Sequence, residues 1–168
     1  MNNKDKKRGN TPLIVTAVIC AAVCLATLLV FFLSDVISGK MLMSKTRRNI
    51  GKCDVVVLTD FNYDGGILPT SGEAILRDGE ARELAGELIN ATEDISYSNV
   101  LNGSVGFWDV SIRFESDGAS YTVYLKEDSV YVTKKNKGYL FDIKPSCKDA
   151  YGKLYQRVEA TIEDQMKD

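Results

Sequence analysis

The feature that most constrains this chain is one unbroken apolar run, Leu13 to Leu33, in which no charged residue occurs. A helix rises about 1.5 Å per residue, so this run would be about 31 Å long, close to the roughly 30 Å hydrocarbon thickness of a bilayer. Because no charge has to enter lipid, such a helix inserts without a desolvation penalty. We therefore predict a transmembrane helix at residues 13–33.

A cleavable signal peptide is the competing interpretation, because a basic segment with Lys4, Lys6, Lys7 and Arg8 precedes the run. Signal peptides have an apolar stretch of only about 7 to 15 residues, followed by a small-x-small cleavage site. The run is longer than that, and the best site, Val36-Ile37-Ser38 before Gly39, has valine where a small residue belongs. These features favour an uncleaved anchor.

Charge divides the chain in two. Residues 1–52 hold 9 basic and 2 acidic side chains, a net charge of +7, whereas residues 53–168 hold 12 basic and 21 acidic side chains, a net charge of -9. The positive part predicts contact with the lipid bilayer. The negative part would repel phosphate backbones, which argues against nucleic acid as a partner.

Basic residues flank the run on both sides, four before it and five between Lys40 and Lys52. Because the cluster before the run is compact and cytoplasmic flanks are enriched in Lys and Arg, the balance favours a cytoplasmic N-terminus. It predicts a cytoplasmic tail at residues 1–12 and a single-pass protein of the plasma membrane with its C-terminal domain outside. Residues 34–52 lack a sustained periodicity, and we interpret them as a basic juxtamembrane linker that begins as a helical extension. Residues 53–168 form the extracytoplasmic domain in this interpretation.

The extracytoplasmic domain has the pattern of an α+β fold. Residues 54–59 are rich in β-branched side chains and predict a first strand, followed by a glycine-rich loop over residues 60–72 and a short strand at residues 73–77. Asp78 has the character of a helix N-cap, and the helix after it would bury one face. That face consists of Ala81, Leu84, Ala85, Leu88 and Ile89.

A strand meander follows from residue 107 onward, where apolar and polar side chains alternate with period two. Turns are predicted at Asp117-Gly118, Glu127-Asp128 and Asn136-Lys137-Gly138, which gives four consecutive strands. Ser146 to Asp149 resembles a capping box that opens a closing helix. We therefore predict one transmembrane helix, then a small antiparallel meander sheet packed by two helices.

One loop has metal chemistry in it. Asp60, Asn62 and Asp64 match the opening of a calcium loop, with three oxygen-bearing side chains before a glycine turn. The position that should hold a bidentate acid is Ser71, and aspartate and asparagine beside glycine are also the commonest turn residues. Calcium is the only cofactor that the sequence suggests, and a plain turn is the alternative.

The cysteines outside the apolar run, Cys53 and Cys147, lie at the two ends of the predicted domain. A disulfide between them would close a long loop, and the sequence leaves open whether it forms. The chain has no histidine, which is the commonest general base. Together with the lack of any recognisable catalytic motif, this predicts that the protein is not an enzyme.

Tyrosines are frequent in the meander. Tyr124 and Tyr131 fall on the face opposite Val123 and Val130. Cross-strand pairing on a solvated sheet face is the interpretation that we favour, and exposure of both rings as a contact surface for a protein or glycan is the alternative.

The basic tail, single span, meander (WDVSIRF, YTVYL, VYV, GYLFDI) and closing helix with KLYQRV resemble small membrane-anchored α+β domains of unknown function from Gram-positive bacteria. The resemblance implies an α+β fold on the outer face of the membrane and transfers no catalytic residue. We expect a non-enzymatic binding domain with a membrane or envelope protein as partner. The alternative is an accessory subunit of a larger membrane complex, held through Ala17, Ala21, Ala22 and Ala26 of the span.

Overall fold

The computed structural model describes residues 11–62, 70–102, 109–116, 118–134 and 137–166. It contains three α-helices, α1 (Thr11–Ile50), α2 (Asp78–Ala91) and α3 (Lys148–Gln165). The strands are β1 (Val55–Asn62), β2 (Thr70–Arg77), β3 (Ile95–Asn102), β4 (Val110–Ser116), β5 (Ala119–Lys126), β6 (Ser129–Lys134) and β7 (Lys137–Ile143). The chain divides into two compact units, Met1–Ser38 and Gly39–Asp168.

The first unit is the apolar part of α1. Large apolar side chains from Ile14 to Leu33 are between 47% and 68% exposed, all around the helix. This part of α1 is, by its length and composition, long and apolar enough to cross a membrane. A signal sequence near the N-terminus has the same properties. The apolar part of α1 is therefore a candidate membrane span, with a cleaved signal sequence as the alternative.

The second unit begins with the last turns of α1, which belong to the folded domain. Gly39, Met43, Thr46 and Ile50 are buried there, at the spacing of one helical face. The structure thus differs from the expected linker at residues 34–52, because α1 remains helical to Ile50. Two of the four buried positions are glycine and threonine, so the face did not appear as an apolar periodicity in the sequence.

All seven strands form one antiparallel sheet in the order β2-β1-β4-β5-β6-β7-β3. The predicted meander is confirmed as β4 to β7, and the α+β class is confirmed with it. Strand β3 was not predicted from the sequence, because a bulge between Tyr97 and Asn99 shifts its register. The apolar residues of β3 consequently stop alternating, since a bulge breaks the period of two.

One face of the sheet carries the core, which α2 and α3 cover. Helix α3 buries one face, made of Tyr151, Leu154, Val158 and Ile162, and α2 buries Ala81, Leu84, Ala85 and Leu88 of its predicted face. The Tyr151 hydroxyl hydrogen bonds to the carbonyls of Lys126 and Ser129, at 2.6 and 2.8 Å, at the β5–β6 turn. Arg157 of α3 forms ion pairs with Glu83 and Glu87 of α2, which joins the two helices.

Two local predictions are wrong. The proposed capping box does not form, because the Ser146 hydroxyl donates to the Asp94 carboxylate at 2.8 Å and a 3-10 turn at Pro145–Cys147 leads into α3. Gly138 is not a turn residue but lies inside β7, paired with Thr133 of β6 and Leu101 of β3. Glycine is a common turn residue, which is why the sequence predicts a turn at this position. In the structure the missing side chain leaves room for the ring of Tyr131.

Candidate functional site

Within the described residues, an open groove lies between the end of α1 and the end of α2. Its volume is about 500 Å³, and we call it the α1–α2 groove. The residues that line it are Ser44, Arg47, Arg48, Ile89, Asn90 and Glu93. A groove of this size falls in the range of small-ligand sites, roughly 300 to 1,000 Å³.

Two arginines give the α1–α2 groove its chemistry. Arg47 and Arg48 lie in the last turn of α1, where cations are favoured by the helix dipole. The Arg47 guanidinium donates to the Glu93 carbonyl at 3.4 Å, and Ile89 supplies a half-buried apolar wall. A planar guanidinium matches carboxylate or phosphate with paired hydrogen bonds. The groove can therefore hold an anionic group on a domain that is otherwise acidic.

A second cluster is acidic and lies where α3 meets β1 and β4. Burial, followed by the charges of Asp109 and Glu163, raises the pKa of the Asp60 carboxyl. Burial and the charge of Asp60 also raise the pKa of Glu159, against the opposing effect of a hydrogen bond with Tyr155. The Tyr155 pKa is raised by burial and by the Asp109 and Glu159 charges. Uncompensated negative charge thus accumulates here.

The predicted calcium ligands are only partly within the described residues. Asp60 and Asn62 lie in β1, which extends to residue 62 where we expected a loop, and Asp64 lies outside the described residues. Of these three side chains, the structure describes only that of Asp60. Among the described residues, no group of three or more His, Cys, Asp and Glu side chains is placed to hold a metal ion. Calcium binding stays a prediction.

The tyrosine surface differs from the expectation. Tyr124 and Tyr131 are cross-strand partners with ring centroids 5.7 Å apart, but Tyr131 is only 1% exposed and Tyr124 is half-buried. The Tyr131 ring lies over Gly138 and occupies the space where a side chain would project. Burial then raises the pKa of the Tyr131 hydroxyl. The pair fills a gap in the sheet, so it does not present two exposed rings.

The two cysteines are free thiols and both are buried. The Cys53 thiol lies 3.6 Å from the Asn49 carbonyl, and the Cys147 thiol lies 3.9 Å from the Asn90 carbonyl. The disulfide that the sequence leaves open is not formed in the structure. Burial and the adjacent Asp54 raise the pKa of Cys53, which disfavours its reactive thiolate form.

The sequence places Arg47 and Arg48 in a basic segment and Ile89 on the apolar face of α2, where the structure leaves it half-buried. Nothing in the sequence links α1 to α2, because 41 positions separate Arg48 from Ile89. Comparisons with protein-family models, with curated proteins and with solved structures found no match.

Proposed function

We propose that this chain is a single-pass membrane protein that presents a non-enzymatic binding domain outside the cell, with its N-terminus in the cytoplasm. The supporting observation is α1, which has a run of exposed apolar side chains and then, from Gly39, a face buried in the domain core. A domain whose core includes part of the membrane helix is held at the membrane as long as the chain is uncleaved. The ligand of the domain must therefore be present close to the membrane surface.

The α1–α2 groove is the binding site in this proposal. Arg47 and Arg48 recognise a carboxylate or phosphate group of a membrane or envelope protein partner, and Ile89 contacts an adjoining apolar part. Arginine pairs favour such groups over other anions because their donors are fixed in a plane. Salt would weaken the interaction, since the arginines are at least partly exposed to solvent.

Photo-crosslinking from the groove in intact membranes tests this directly. A photoreactive side chain at Ser44, which lines the groove, should capture the partner, whereas the same side chain at exposed Ser120 of β5, which does not line it, should not. Replacing Arg47 and Arg48 by alanine should lower the yield from position 44 about tenfold, the effect of losing one charge-assisted hydrogen bond or more. Lys52→Ala is the matched control, because Lys52 is exposed and does not line the groove.

Equal capture from positions 120 and 44, or a yield that does not change in the double-alanine variant, would contradict the proposal. Capture of a stoichiometric membrane protein from positions inside the apolar run instead would favour the accessory-subunit alternative.

Topology and processing need their own measurement. Protease added to intact cells should digest the domain and spare the N-terminal tail, and the mass of the purified protein should include residues 1–38. A mature protein that begins at Gly39 would identify the run as a signal peptide. The folded unit also begins at Gly39, so a cleaved form would keep every buried residue of α1.

A further inference from the structure

The edge of the sheet at β2 has backbone groups that face away from β1. Asp78, the residue after β2, donates its N–H to the Asp54 carbonyl at 2.8 Å, so the even-numbered positions carry the hydrogen bonds to β1. Hydrogen-bonded positions alternate along an antiparallel pair. The N–H and C=O groups of Glu73, Ile75 and Arg77 therefore point outward from the sheet.

One side chain covers this edge at its centre. Gln165, the last residue of α3, accepts a hydrogen bond from the Ile75 N–H at 2.9 Å, and its Nε2 donates to the Ile75 carbonyl at 3.4 Å. The carboxamide thus supplies the donor and acceptor that a neighbouring strand would supply. Uncovered edge strands are templates for pairing with another strand, so Gln165 occupies the place of a partner.

Exposed apolar side chains are concentrated at the same edge. Within the described residues beyond α1, the large apolar side chains that are exposed are Ile75, at 46%, and Met166, at 62%. Met166 directly follows Gln165 and lies against Gly72 of β2. An exposed apolar side chain on an edge strand adds to the tendency of that edge to pair with another strand.

The sequence of β2 is complementary to itself about Ile75. Glu73 and Arg77 lie two positions before and after Ile75, so all three side chains are on one face of the strand. In a second β2 that runs antiparallel, Ile75 would face Ile75, and Glu73 of each copy would face Arg77 of the other. Opposite charges at facing positions stabilise such a pair, and like charges destabilise it.

We propose that the β2 edge is a homodimer interface, in which two copies of the chain pair antiparallel about Ile75 when Gln165 withdraws. The arrangement is isologous, as expected for a two-fold dimer. It joins two sheets into one and brings two Glu73–Arg77 pairs together. Gln165 holds the closed monomer by occupying the same backbone groups.

Disulfide crosslinking of the full chain in its membranes tests the register. In a hydrogen-bonded antiparallel pair the facing Cα atoms are about 5.5 Å apart, within the roughly 4.4 to 6.8 Å that a disulfide spans. Ile75→Cys should therefore link two copies, in a background where Cys20 and Cys24 are replaced by alanine. Glu73→Cys should not, because the two position-73 residues lie about 13 Å apart in this register. Combining Glu73→Cys with Arg77→Cys should restore the link.

Gln165→Ala tests whether the Gln165 carboxamide blocks pairing at the β2 edge. It should raise the Ile75→Cys crosslink about fivefold, which corresponds to the loss of about one net hydrogen bond from the closed monomer. Gln156→Ala is the matched control, because Gln156 is an exposed glutamine on the same helix and should leave the yield unchanged. Circular dichroism of both variants would verify that α3 remains folded.

Charge reversal tests the complementarity. Glu73→Arg should lower the crosslink by placing like charges opposite each other, and adding Arg77→Glu should restore it. The proposal fails if Ile75→Cys links no better than Glu73→Cys, if Gln165→Ala does not increase the yield, if the double reversal does not rescue it, or if position 75 links to a different protein. None of these outcomes depends on the α1–α2 groove, so the two proposals can fail separately.

Discussion

The two parts of helix α1 differ in where their side chains face, although they share one backbone. From Ile14 to Leu33 the large apolar side chains are exposed on every side of the helix. From Gly39 to Ile50 the buried positions recur every three or four residues, and the intervening ones are exposed or half-buried. A helix that is apolar all around suits lipid, whereas a helix with one buried face suits a protein core. The change of pattern, and not a helix break, marks the boundary of the domain.

The sharpest test of this difference uses two methionines of α1. Met43 is 1% exposed and Met41 is 68% exposed. Met43→Ala should lower the free energy of unfolding of the domain by about 2–5 kcal/mol, the usual cost of deleting a buried side chain of this size. Met41→Ala should change it by less than about 0.5 kcal/mol. Urea unfolding of the detergent-solubilised chain, followed by circular dichroism, measures both. Equal effects would mean that residues 39–50 are not part of the core.

Glycines provide the next test. A Cβ at Gly39 would come within 2.8 Å of the Tyr139 ring, whereas a Cβ at Gly86 of α2 meets nothing within 4 Å. Gly39→Ala should destabilise the domain by about 1–2 kcal/mol through overpacking, despite the better helix propensity of alanine. Gly86→Ala should stabilise it by about 0.5–1 kcal/mol, because only the propensity changes. If both substitutions stabilise, Gly39 does not contact the sheet.

The smallest expected effect is a pH dependence of the stability of the domain, caused by Glu159. Burial raises the folded pKa of Glu159 above its ordinary value of 4.5, so the folded state binds this proton more tightly than the unfolded state does. The stabilisation is present below pH 4.5 and is lost as the pH rises through the raised pKa. Glu159→Gln should therefore raise the unfolding midpoint at pH 7 and leave it unchanged at about pH 3.5.

The control for this prediction is Glu127→Gln, at an exposed turn position, which should change the midpoint at neither pH. If the wild-type domain instead becomes less stable between pH 7 and pH 5 while Glu159→Gln does not, the sign of the Glu159 contribution is wrong. Calcium that raised the wild-type midpoint at pH 7, and did so less after Asp60→Asn, would support the predicted calcium loop.

Elements with a strong local pattern could be predicted from the sequence. The meander and α3 follow from periods of two and 3.6, and both are present in the structure. The last part of α1 could not be found this way, because its buried face contains Gly39 and Thr46. Strand β3 was hidden by its bulge, since Val100 lies three residues after Tyr97.

The site was less predictable than the fold because its parts are distant in sequence. The α1–α2 groove and the hydrogen bonds between Gln165 and Ile75 each involve two segments that come into contact only after folding. The burial of Tyr131 depends on the missing side chain of Gly138, two strand positions away from its partner Leu140. Patterns within one strand indicate which side of a sheet a residue faces, and they carry no information about what lies over it.

The contact between Gly39 and Tyr139 has a consequence for the timing of folding. The two residues are 100 positions apart, and β7 is the last strand to be made. At a synthesis rate of about 5–20 residues per second, the buried face of α1 would wait about 5–20 s for its partner strand. Throughout that interval Gly39 lacks the Tyr139 ring against which it packs, so the contact between α1 and β7 forms only when nearly all of the domain has been synthesised.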